Sequence, residues 1–70
     1  MEDNVDRVLG NLILTEMVEA KRHVKNAPSI VKTTYAMQTV MRLMSHQNVQ
    51  MANIHVQFRW LIQKARASDG

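Results

Sequence analysis

Apolar side chains recur at three- and four-residue steps through most of this chain, and that spacing predicts three helices. In the first, from about Asp3 to Lys25, Val5, Val8, Leu9, Leu12, Ile13, Met17, Ala20 and Val24 make one broad apolar face. Asp3 or Asn4 is placed to cap its first turn and Asp6 suits the positive end of the helix dipole, while Lys21, Arg22 and Lys25 suit the negative end. Leu14 and Val18 fall off that face, so the helix is expected to touch something on a second side. The first break is Asn26-Ala27-Pro28-Ser29, because proline lacks the donor a helix interior needs and disfavours helical geometry at Ala27. A second helix, from Pro28 or Ser29 to Ser45, carries Ile30, Met37, Val40, Met41 and Met44 on one stripe, with Val31 and Tyr35 on one flank and Leu43 on the other. After a short polar break at His46-Gln47-Asn48, the third helix runs from about Gln47 or Asn48 to Arg66, and Ala67-Ser68-Asp69-Gly70 trails off.

The third segment has two apolar faces. Val49, Ala52, Val56 and Trp60 form one; Met51, Ile54, Phe58, Leu61, Ile62 and Ala65 form the other. One helix of three does not usually bury both sides in its own bundle, so either it runs through the centre or one face belongs to a partner. The expectation is that the first face serves the bundle and that Met51, Ile54, Phe58, Leu61 and Ile62 are left for another chain. Ile54-His55-Val56-Gln57-Phe58-Arg59-Trp60 also alternates apolar and polar, as a strand does. A lone strand has no partner within this chain, so the helix is preferred; a strand here would have to pair with a second copy or another protein.

The 70 residues allow one domain at most, with an ordered core of about residues 3–66. Such a chain buries only about 60% of the surface its unfolded form exposes, which leaves roughly 3–5 kcal/mol of net stability. Without any cysteine there is no disulfide and no thiolate metal site, so helix packing or a partner must supply the stability. The expected class is therefore all-α: a compact bundle of three main helices, or four if one is split at a break. The acidic opening Met1-Glu2-Asp3-Asn4 is unlike a signal peptide and no apolar run is long enough to span a bilayer, so the reading is nucleus or cytoplasm with no membrane partner. Six methionines either fill gaps in the core or line an adaptable binding surface. The net charge of +3 favours acidic partners without identifying a nucleic-acid binder.

Catalysis finds no support. His23, His46 and His55 lack the spacing that puts two imidazoles on one helical face, and Gly10 and Gly70 cannot build a phosphate-cradling loop. No cofactor or metal is expected. Within the first helix's apolar arc, His23 reads as an exposed imidazole suited to the helix end or as a pH-sensitive contact. Glu16, also in that arc, is expected to pair with Arg42, Arg59 or Lys64. Lys21, Arg22, Lys25 and Lys32 form the densest basic cluster, open to phosphate, to an acidic partner or to solvent alone. Gln47, Asn48, Gln50 and Asn53 would suit the start of a helix-turn-helix recognition helix.

Asn4-Val5-Asp6-Arg7-Val8-Leu9-Gly10-Asn11-Leu12, with Val31-Lys32-Thr33-Thr34 and the spacing from Leu43 to Trp60, resembles the integrase-binding domain of lens-epithelium-derived growth factor and its relatives. That domain belongs with the helical N-terminal domain of the elongation factor TFIIS, and the resemblance spans about residues 4–62. It implies a right-handed helical bundle in a transcription or chromatin protein that captures short disordered segments with hydrophobic residues on interhelical loops. Leu43 stands where the family has a loop-borne aromatic contact, with Met44 beside it. The family's first helix and acidic contact loop have no counterpart before Val5, and the stretch between Leu12 and Leu43 is two residues longer here. A partner helix could take the missing helix's place against the last one.

Together these features predict a non-enzymatic module that binds a hydrophobic or amphipathic protein segment through Leu43, Met44, Met51, Ile54, Phe58, Leu61 and Ile62, and that forms a homodimer or buries its third helix on another chain. The alternative is a small basic nucleic-acid-binding domain using Lys21, Arg22, Lys25 and Lys32.

Overall fold

The computed structural model describes the backbone of residues 2–46 and 51–69 and the side chains of residues 7–46 and 51–69. Three helices form: α1 (Glu2–His23), α2 (Ser29–Leu43) and α3 (Met51–Asp69). No strand occurs among the described residues, and Ile54–Trp60 lies wholly inside α3 despite its alternation. The expected caps Asp3 and Asn4, the Gln47-Asn48 start of the third helix, and Val49 and Gln50 lie outside the described side chains.

Each end follows from local chemistry. At the close of α1, Val24 N–H still donates to the Ala20 carbonyl at 3.0 Å and Ala27 N–H to Val24 at 3.1 Å, before Pro28 enforces extended geometry (φ −61°, ψ 160°). Lys21, Arg22 and His23 occupy the last turn, where cations complement the helix dipole. Pro28 supplies no side-chain cap to α2. The capping group comes instead from the far end of the chain: the exposed Asp69 carboxylate accepts the backbone N–H groups of Ser29 (3.0 Å) and Ile30 (2.9 Å). The tail expected to trail off after Arg66 is thus helical through Asp69 and holds the start of α2. That contact also sets α3 antiparallel to α2.

α2 lies in the middle, packed extensively against α1 on one side and α3 on the other. Its buried residues are Thr33, Ala36 and Val40, followed by Met44 just past its end. The core adds Leu9, Ile13 and Ala20 from α1 and Ile54, Phe58 and Ala65 from α3. Phe58, Leu9, Ile54 and Val40 are its largest fully buried apolar side chains, each contributing about 1.5–3 kcal/mol on burial. Alanines 20 and 36 have no bulk to hold the helices apart. Thr33 enters the core because its hydroxyl donates to the Ser29 carbonyl one turn back, at 2.9 Å, so it brings no unpaired polar atom. Met17, Met37, Met41 and Met51 pack against this cluster and Met44 belongs to it, which gives the described methionines a gap-filling role.

The face of α3 turned inward is the opposite of the one expected from sequence. Ile54 and Phe58 are fully buried and Met51, Leu61 and Ile62 half-buried, whereas Ala52, Val56 and Trp60 are exposed. The physical reason is area: the set containing Ile54, Phe58, Leu61 and Ile62 removes more apolar surface from water than the set containing Ala52 and Val56. Leaving Trp60 outside also spares its indole N–H the need for a buried partner.

Candidate docking groove

Because α1 and α3 both pack on α2, a furrow opens between them. It encloses about 760 Å³. Leu14 and Met17 of α1 face Val56, Trp60 and Leu61 of α3 across it, with Gly10 leaving space and Arg7 at one end. Helical spacing explains the set. Arg7, Leu14 and Lys21 are seven positions apart, nearly two full turns, so they share one stripe. On α3, Val56, Trp60 and Lys64 step by four along the opposing stripe. Leu14 is 67% exposed, Val56 55% and Trp60 74%. The off-face position of Leu14 in the sequence carried this signal for α1; on α3 it was hidden by the reversed assignment.

Among the described residues, two smaller furrows lie elsewhere. One of about 440 Å³ between α2 and α3 is cationic, with His55, Arg59 and Arg66 above Met37 and Ile62. The other, about 280 Å³, is formed by α2 alone around Val31 and Tyr35. His23 is exposed, its ring 5.9 Å from that of Tyr35 and its Nε2 3.6 Å from Glu19.

Of the residues expected to contact a partner, Met44, Ile54 and Phe58 are consumed by the core and are not available at a surface. Met51 is half-buried against the core, Leu61 reaches the main groove, and Ile62 reaches the cationic furrow. Leu43 is 50% exposed at the end of α2. The four basic residues near the first break have different surroundings. Lys21 sits on the groove stripe of α1, Arg22 lies 3.7 Å from Glu19, Lys25 is exposed in the turn, and Lys32 is near enough to Asp69 to favour its charged form. Glu16 is half-buried and takes no part in the ion pairs among the described residues, which both belong to Glu19. Asp69 is held below its ordinary value of 3.8, first by the Ile30 N–H and then by that of Ser29.

No group of three or more metal-ligating side chains converges among the described residues, and no helix there is long and apolar enough to cross a membrane. The chain matches no protein-family model, no curated protein and no solved structure.

Proposed function

We propose that this chain is a non-enzymatic protein-interaction module that docks a hydrophobic or amphipathic segment of another protein in the groove between α1 and α3. The observation that supports this most is the exposure of Leu14, Val56 and Trp60 on facing walls of one furrow. Each such side chain gains about 1.5–3 kcal/mol on full burial, and contiguous apolar surface of this kind marks interaction sites. A groove between two helices suits a third helix laid along it. The resemblance to the integrase-binding domain fits the same role and points to a nuclear transcription or chromatin complex; in that family's manner the half-exposed Leu43 would add a contact at the end of α2.

Trp60 is the single tryptophan and sits in the groove, so its emission reports occupancy. A synthetic helical peptide with leucines on one stripe and glutamines elsewhere should shift that emission to the blue. Trp60 emission unmoved by any amphipathic peptide at millimolar concentration defeats the docking reading. The second reading, nucleic-acid binding, is favoured by the cationic furrow of His55, Arg59 and Arg66 rather than by the cluster around Lys21. It requires binding that weakens steeply with salt.

A further inference from the structure

We propose that the segment taken up by the α1–α3 groove is an acidic amphipathic helix of another protein, with its apolar stripe on Leu14, Val56 and Trp60 and its carboxylates on Arg7, Lys21 and Lys64. This deepens the docking reading and rests on it. Arg7 forms part of the groove wall. Lys21 lies two turns beyond Leu14 on the same stripe, and Lys64 one turn beyond Trp60; all three bases are exposed.

The described acidic side chains are placed elsewhere. Glu19 is engaged by Arg22 at 3.7 Å and His23 at 3.6 Å. Asp69 is bound to the start of α2. Glu16 is two positions from Leu14, hence about 200° around the helix, and does not line the furrow. Among the described residues the rim is therefore cationic over an apolar floor, and its complement is a helix that is apolar on one face and anionic at the margins.

The stripe also sets a length. From Arg7 to Lys21 the helix rises about 21 Å, which a partner helix of roughly four turns would match. A second copy of this chain is a poorer occupant by its described residues, because two-fold pairing brings Arg7, Lys21 and Lys64 of one protomer towards those of its partner, between chains that each carry +3.

The test compares two synthetic peptides of identical leucine stripe, one with glutamates and one with lysines at the remaining positions, titrated into the full chain with Trp60 emission as readout. The glutamate peptide should bind about tenfold or more tightly, the scale expected of two or three exposed charge pairs, and the preference should shrink as salt rises. Arg7→Glu with Lys64→Glu, both at exposed positions, should reverse the order of the peptides while the circular dichroism spectrum stays helical. Equal binding of the two peptides overturns the acidic preference and leaves the docking reading standing. No emission change with either overturns both. Self-association of the chain at micromolar concentration, accompanied by a blue-shifted Trp60, overturns the proposal in favour of a second copy.

Discussion

Asp69 at the end of α3 accepts the backbone N–H of Ser29 at the start of α2, forty positions away, at 3.0 Å. With the Ile30 N–H on its other oxygen, it does what an N-cap does, from a different helix. Because the folded state holds this carboxyl below 3.8, its contribution to stability is complete above that value and is lost as the pH falls through the folded-state value. The thermal midpoint should therefore drop on acidification below about pH 4, a drop that Asp69→Asn blunts while lowering the midpoint at neutral pH. Removing residues 67–70 should destabilise the fold as Asp69→Asn does, or more. A truncated chain as stable as the intact one at pH 7 would show that the clasp contributes nothing.

Substitution at Phe58 and at Trp60, two residues apart on α3, should separate folding from binding. Phe58 is fully buried, so Phe58→Ala costs about 3–5 kcal/mol, comparable with the whole stability of a domain this small. Loss of the helical circular dichroism signal at 25 °C is the expected result. Trp60, at 74% exposure, should tolerate alanine with a change within about 0.5 kcal/mol, and the variant should no longer bind a leucine-stripe peptide by calorimetry.

The contrast between these two residues shows where the sequence could be read and where it could not. Three helices and the break at Pro28 were legible, since the three- and four-residue spacing and the missing proline donor act locally. The inward face of α3 was not, because both candidate stripes are apolar and only the area each buries against α2 decides between them. Thr33 and Ala36 were overlooked as core for a related reason: neither is large, and Thr33 is admitted only by its hydrogen bond to Ser29. The role of Asp69 left no local trace, as its two partners lie at the other end of a helix pair. The groove was half visible in Leu14, which had no place on the main face of α1.

Binding to duplex DNA should be weak in its salt response. Arg22 is engaged by Glu19 and Lys32 acts on Asp69, which leaves Lys21 and Lys25 for phosphate, and each neutralised phosphate contributes about 0.9 to the log-log slope against salt. Fluorescence anisotropy with a labelled duplex should give a slope no steeper than about −2, the signature of one or two phosphates engaged at a time. A slope near −4 would instead mean that the bases act together, and would favour the nucleic-acid reading.

Gly10 offers a way to close the groove without touching the core. It lies inside α1 with ordinary helical backbone, and a β-carbon built there meets nothing within 4 Å. Gly10→Ala removes the backbone freedom glycine has in the unfolded chain and should stabilise by about 0.5–1 kcal/mol. For a domain of this size that raises the thermal midpoint by about 2–8 °C. A larger side chain uses the same space differently: Gly10→Leu keeps the helix propensity and extends into the furrow lined by Leu14, Val56 and Trp60. It should fold at least as well as the native chain, show a blue-shifted Trp60 in the absence of any peptide, and lose peptide binding because the site is already filled. If Gly10→Leu folds and still binds a leucine-stripe peptide with native affinity, the segment docks on some surface other than this groove.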